Sequence, residues 1–176
     1  MANFSAFNLK KWIDEHRDVL KPPVCNKQVW KDSEFIVMII GGPNQRTDFH
    51  IDPGEEFFYQ LEGDMVLTIF EDGVVKDVPI KEGEVLLLPP NVPHSPQRFE
   101  NTVGMVVERR RREGEIDHLL WYCGDCREIV HDVEFHLTNI EKQLKPIFDA
   151  YYGDEKLRTC GKCGWVEPAK EKAKAA

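Results

Sequence analysis

Two histidines and one carboxylate, His50, Glu56 and His94, are the side chains best suited to hold a metal ion while leaving room for other ligands. Iron(II) gripped by three protein atoms on one face keeps three positions open, enough for a bidentate organic molecule and dioxygen. His50 and Glu56 are separated by the turn sequence Asp52-Pro53-Gly54, so a strand, a turn and the next strand bring both to one point. His94 follows Pro89-Pro90-Asn91-Val92-Pro93, a stretch stiff enough to aim an imidazole. A single histidine is more often a surface or satisfied core residue, so the joint spacing carries the argument.

Two arginines flank these ligands. Arg46 lies four residues before His50, and Arg98 four residues after His94. Even separations along a strand put side chains on one face, which predicts guanidiniums pointing where the ligands point. A buried guanidinium needs an anion, and its fork matches a carboxylate. The pair therefore points to an anionic small molecule beside a polar oxygen species. The plainer alternative is that Arg46 pairs with Asp48, Asp52 or Glu55. Glu108 ends the apolar run Val103-Gly104-Met105-Val106-Val107, where an inward carboxylate accepts a proton and an outward one pairs with its arginine neighbours. Arg109-Arg110-Arg111-Arg112 reads as a solvated segment leaving a strand, neutralised by Glu108, Glu113 and Glu115. Phe57, Phe58 and Tyr59 supply either an aromatic wall or simply core.

A second metal signal is independent of the first. Cys123-x2-Cys126 and Cys160-x2-Cys163 offer four thiolates, while Cys25 stands alone as a buried or pocket-edge thiol. Each pair can bite one tetrahedral ion, and four thiolates leave no open position, so this site reads as structural. Zinc and iron fit it equally well, and disulfide pairing is the lesser alternative. Gly124, Gly161 and Gly164 would let amides turn toward the sulfurs.

The elements that position these groups are mostly strands. Glu34–Ile40 reads as a buried strand, followed by a turn at Gly41-Gly42-Pro43-Asn44 and by short runs over 57–61, 65–70, 74–80 and 85–88. Asp72-Gly73 marks a tight hairpin, and Thr102–Arg109 closes the series. Evenly spaced short strands without intervening helices mean a sandwich or barrel. A helix over 8–20, capped by Asn8, shows an apolar stripe of Leu9, Trp12, Ile13 and Leu20 for packing outside the barrel. Phe7 and Trp12 occupy the positions of a hydrophobic staple, and Lys21-Pro22-Pro23 stops the helix. A second helix opens on the capping-box sequence Thr138-Asn139-Ile140-Glu141, with Ile140, Leu144, Phe148 and Tyr151 on one face and Pro146 kinking or dividing it. From Pro168 onward the chain reads as a frayed tail. The expected division is 1–116, a barrel with its N-terminal helix, and 117–176, the four-cysteine region.

Composition sets outer limits. A chain of 176 residues with 41% hydrophobic content supports a globular core. A net charge of −8 argues against a phosphate backbone as partner. No apolar run approaches the ~20 residues of a membrane-spanning helix, and Met1–Ser5 lacks the pattern of a secretory signal. The expected location is the cytoplasm, with no nucleic acid and no membrane as partner.

The spacing His50, Glu56, Gly63 and then Gly83, Pro89, His94 resembles the two cupin motifs, with a jelly-roll-like β-barrel as the implied fold. Two departures stand out. Asp52 occupies the place of the usual second histidine, reducing a four-ligand site to a His50/Glu56/His94 face, and Asn91 replaces a common glycine. Longer strings resemble one family closely, the 3-hydroxyanthranilate 3,4-dioxygenases. They are Lys21-Pro22-Pro23-Val24, Gly41–Asn44, Arg46–His50, Glu56–Gln60, Leu88–Pro96 and Trp121-Tyr122-Cys123. The resemblance implies catalytic Fe(II) on His50, Glu56 and His94, with Arg98 and Glu108 binding 3-hydroxyanthranilate and Arg46 at the dioxygen and substrate site. It implies Asn26 and Phe58 as pocket-lining positions. It also implies extradiol ring cleavage in tryptophan catabolism, a product that closes to the NAD precursor quinolinate, a rubredoxin-like C-terminal site that often holds iron, and a homodimer.

Overall fold

In a computed structural model the described residues are 5–22 and 25–169. Met1–Phe4, Pro23 and Val24, and all of the expected frayed tail beyond Pro168 and Ala169 lie outside them, so the reading of Pro23 as part of a helix stop falls outside the described residues. The hairpin forms as its sequence predicts. Strand β5 (Met65–Glu71) and strand β6 (Val74–Ile80) meet through Asp72 and Gly73, whose φ values are +53° and +76°. A two-residue turn matching strand twist needs both central residues in that region, which Asp tolerates and Gly adopts freely.

The remaining strands are β1 (Asn26–Gln28), β2 (Phe35–Gly41), β3 (Phe49–Ile51), β4 (Glu56–Glu62), β7 (Val85–Leu88), β8 (His94–Arg98), β9 (Val103–Arg109), β10 (Asp117–Tyr122) and β11 (Ile129–Phe135). They build two antiparallel sheets, in the orders β1-β2-β9-β4-β7 and β11-β10-β3-β8-β5-β6. One core cluster draws Phe58, Leu88 and Val106 from the first sheet and Met65, Leu67 and Ile80 from the second, so it lies between them. This mainly β arrangement is the cupin barrel. Alternation follows the strand period: Glu56, Phe58 and Gln60 are buried in β4, with half-buried residues between.

Helix α1 (Leu9–Glu15) is shorter than expected, and turns carry the chain on to Leu20. Asn8 caps it by accepting from the Lys11 amide at 2.9 Å. Ile13 and Leu20 are buried against Ile39 and Val103, on the face of β2 and β9 turned away from the core. Phe7 packs edge-on against Trp30.

Two expectations need correction. Thr102–Arg109 does not close the strand series: β10 and β11 follow and extend the second sheet, with β10 pairing directly to β3. The segment after 116 thus begins with two barrel strands. The apolar run Leu119-Leu120-Trp121 is a fully buried strand, which lacks the polar alternation that marks a half-exposed one. Helix α2 (Leu144–Gly153) starts six residues later than the capping-box reading. Pro146 then falls in its first turn, where a missing N–H costs nothing, so the helix neither kinks nor divides. The 138–143 stretch is instead tied by the Gln143 side chain, whose Oε1 accepts from the amides of Thr138 and Asn139, both at 2.6 Å. Tyr151 of α2 stacks on Trp121 with ring centroids 4.0 Å apart, seating the helix on β10. No helix among the described residues is long and apolar enough to cross a membrane.

Candidate metal centre

Register brings the expected ligands together. His50 of β3 pairs with His94 of β8, and Glu56 of β4 pairs with Glu108 of β9. The two loops that deliver them are joined, since the Asn91 amide donates to the Asp52 carbonyl at 2.8 Å. Asn91 has φ +63°, the conformation that glycine supplies in the common motif and that asparagine tolerates better than most residues. All three ligand side chains are buried, and one ligand atom from each lies within 4.8 Å of the others.

Hydrogen bonds settle which atoms face inward. His94 Nδ1 lies 2.9 Å from the Val92 carbonyl and donates to it, which leaves Nε2 at 3.0 Å from Glu56 Oε1. His50 Nε2 lies 2.8 Å from Asp117 Oδ2, and its Nδ1 lies 3.7 Å from the same Glu56 oxygen. Glu56 Oε1 is buried and accepts no hydrogen bond. Nitrogen and oxygen ligand atoms thus converge on one buried point, an arrangement that suits a cation. Burial disfavours charge on both groups, yet Glu56 is drawn down to about 2 and His94 is pushed up, because each stabilises the other's charged form. Orphaned Glu56, aimed imidazoles and a nitrogen–oxygen donor set fit iron(II).

Behind the ligands sits a group that the sequence reading misplaced. Arg111 is not solvated: its side chain is fully buried. Its Nη2 lies 2.9 Å from Asp52, 2.8 Å from Glu108 and 2.6 Å from Asp117, and its Nε donates to Asp117 at 2.8 Å. Arg109 forms a fork with Glu115, and Arg110 caps backbone carbonyls of Ser33 and Lys31. The one available signal was Asp52: a carboxylate in the place of a histidine, if buried, requires a cation. Asp117 went unnoticed because nothing before the pairing of β10 with β3 puts it near His50. Glu108 lies at the cavity wall with its carboxyl held well above the ordinary range. Burial does this first, then the nearby Glu56 and a hydrogen bond shared with Asp52, while Arg111 pulls the other way.

Above the ligands a cavity is lined by Arg46, Phe58, Pro96 and Val106, and by Leu137, Ile140 and Leu144 from the segment entering α2. Arg46 lies in the loop before β3, and its Nε and Nη2 both bind Asp48, so the plainer expectation for its charge is the one observed. It also rests over the Phe148 ring at 5.8 Å. Arg98 is buried at the far end of the β8 ladder from His94. Asn26 sits on edge strand β1 opposite Ile40, and neither Asn26 nor Arg98 is among the residues lining the cavity.

The sequence model of the 3-hydroxyanthranilic acid dioxygenase family matches residues 1–152. The chain belongs to this family. A 3-hydroxyanthranilate 3,4-dioxygenase of Jannaschia sp. is 56% identical over 97% of this chain and 96% of its own length. The enzyme of the same name from Ruegeria pomeroyi is 54% identical over the same shares. Among solved structures, a cupin-2 domain protein from Shewanella frigidimarina superposes with a TM-score of 0.48 and 16% identity, over 60% of this chain and 95% of that one.

The match to the dioxygenase family model stops before Cys160, but the four cysteines converge. Cys123 and Cys163 sulfurs lie 3.5 Å apart and Cys126 and Cys160 sulfurs 3.6 Å apart, contact distances too long for disulfides. Two matching knuckles present them. In one, the Arg127 amide donates to the Cys123 carbonyl and the Cys123 amide to Glu128. In the other, Gly164 donates to Cys160 and Cys160 to Trp165. Arg127 and Gly164 hold equivalent places at φ +62° and +77°. The amides of Cys163 and Lys162 bring the Cys160 thiol down to about 7. Gly124 makes room instead, since a Cβ there would meet Trp165 at 2.7 Å.

Replacing Arg111 with methionine leaves three buried carboxylates without their cation. The expected loss is about 3–5 kcal/mol of unfolding free energy, measured by urea denaturation of metal-free protein. A loss below about 1 kcal/mol would show the hub to be energetically idle.

Proposed function

We propose that this chain is an iron(II)-dependent dioxygenase that opens the ring of 3-hydroxyanthranilate with O2, giving 2-amino-3-carboxymuconate semialdehyde. The observation that carries the reading is the three-ligand face of His50, Glu56 and His94 beneath an apolar cavity, with a buried guanidinium beyond it. When bound there, iron(II) supplies adjacent open positions where an aminophenol and dioxygen meet.

The inner faces of the barrel stack in three layers. The register pairs Glu56 with Glu108, Phe58 with Val106, and Gln60 with Gly104. Along β8 the matching residues are His94, Pro96 and Arg98. Phe58, Val106 and Pro96 thus form an apolar slot for the aromatic ring, between a layer that handles metal and protons and a layer that carries charge. Arg98 takes the ring carboxylate. Glu108, with Oε2 held by Arg111, accepts the proton of the 3-hydroxyl and returns it later. Its raised pKa makes the ionised form a stronger base than an ordinary carboxylate. Arg46, fixed by Asp48, would set a guanidinium at the cavity wall beside the place where dioxygen binds. Leu137, Ile140 and Leu144 close the cavity over and exclude water.

The four thiolates hold a second, structural ion, iron or zinc. The reading places the enzyme in the cytoplasm, with the product feeding tryptophan catabolism or NAD synthesis. It takes a homodimer as the assembled form, for which the exposed Phe7, Trp30 and Phe35 supply apolar surface.

Iron(II) and 3-hydroxyanthranilate are added without air, and air is then admitted. A new semialdehyde absorbance is the expected result, and its absence from an iron-loaded sample refutes the proposal. Glu108→Ala is expected to retain iron and lose about 10²–10⁴-fold in kcat, and unchanged turnover removes its proton-handling role. Arg98→Ala should weaken 3-hydroxyanthranilate far more than 2-aminophenol, and equal effects on both mean that it does not hold the carboxylate. Changing all four paired cysteines to serine should leave barrel iron in place by metal analysis, with the second ion gone.

A further inference from the structure

The charged layer of the barrel is built with one anion too few. Arg98 is 3% exposed, yet no carboxylate lies within ion-pair reach of it among the described residues. Burial, together with the nearby Arg46, lowers its pKa to about 10. Arg46 already has Asp48 as counter-ion, so the positive charge left without one at this end is that of Arg98.

The side chain that hydrogen-bonds the Arg98 guanidinium is neutral. Its Nη1 faces Gln60 Oε1 at 3.4 Å, and Gln60 Nε2 donates to the Glu62 carbonyl at 3.1 Å, which fixes the amide the right way round. Gln60 is itself 1% exposed. Opposite it in the register, Gly104 leaves the space that the guanidinium fills: a Cβ there would stand 2.5 Å from Arg98 Nη1 and 2.7 Å from Gln60 Oε1. The seat is therefore shaped closely around Arg98 while doing nothing to discharge it. A glutamate differs from Gln60 by one atom and, at this position, would neutralise the arginine from within.

We infer that Gln60 is a specificity-determining positioning residue: its uncharged amide seats Arg98 without pairing it, so that the missing counter-ion is the carboxylate of the incoming aromatic acid. This rests on the reading that Arg98 receives that carboxylate. A buried charge left half-compensated is costly in the empty protein, and a ligand that completes the pair relieves the cost on binding. Ligands of the same shape without a carboxylate gain no such relief. Selectivity for the acid then comes from what Gln60 withholds as much as from what Arg98 offers.

The test is a binding titration on ferrous protein without air, comparing 3-hydroxyanthranilate with 2-aminophenol. Gln60→Glu is expected to weaken the carboxylated ligand about tenfold or more and the aminophenol by less than about twofold, since the internal anion competes only with the former. Gln60→Met, similar in length and neutral, is expected to keep the preference for the acid. Preference retained in Gln60→Glu overturns the inference. So does an equal loss in both variants, because a structural defect would not distinguish charge. If Gln60→Glu does not fold, Gln60→Met decides alone: weaker binding of both ligands with the preference for the acid kept supports the neutral seat, and unchanged binding or loss of the preference overturns it. An Arg98→Ala protein that still prefers the acid defeats the underlying assignment of the carboxylate instead.

Discussion

A single buried guanidinium, that of Arg111, holds together the part of the barrel where the ligands meet. It touches Asp52 on the loop after β3, Glu108 at the end of β9 and Asp117 at the start of β10. The end of β9, the start of β10 and a loop far earlier in the sequence are bound to one planar cation. Each carboxylate also acts elsewhere. Asp52 caps the turn that delivers Glu56 through the Gly54 amide, Glu108 faces the cavity, and Asp117 orients His50. The gross attraction in such a cluster is large, and so is the desolvation cost. Its benefit lies more in fixing geometry than in net stability.

From that hub the site is ordered by strand parity. The expected ligands Glu56 and His94 with Glu108, the apolar groups, and Arg98 with its neutral seat occupy successive inward positions of the same three strands. The layering follows from alternation, and it places unlike chemistries about 7 Å apart without any loop having to be held in place. The loops add enclosure. Thr47 and Tyr152 hydroxyls meet at 2.6 Å and Arg46 lies over Phe148, so the loop before β3 is fastened to α2, whose first turn roofs the cavity.

Much of this was readable from residue types and spacing. His50, Glu56 and His94 stood out because their separations match strand-turn-strand geometry, and the Asp72-Gly73 hairpin because its two residues tolerate positive φ. The four cysteines carried their own arithmetic. The misses have two physical causes: contacts that only the folded strands bring together, and local patterns that carry no periodic signal. A run of four arginines looks like surface until Asp52, Glu108 and Asp117 are seen to surround one of them. Gln60 has no sequence signature at all, since a buried amide is informative only beside the charge it leaves unpaired. Strand β10, buried on both faces, loses the alternation that identifies strands, and Pro146 is ambiguous until the helix start is known.

The paired knuckles have a bearing on the cavity that their distance from it in sequence conceals. Between Cys126 and Cys160 the chain runs through β11, the 137–144 stretch that covers the ligands, and all of α2. An ion gripping both knuckles, as proposed, would turn this excursion into a closed ring of polypeptide. Its ends are fixed to one point beside β10, and Tyr151 is pinned within it by Trp121 and by a hydrogen bond to Glu167. Closing such a ring removes many of the open arrangements available to a free excursion. With that ion in place the four sulfurs would act as a clasp on the roof of a chamber whose chemistry they never touch.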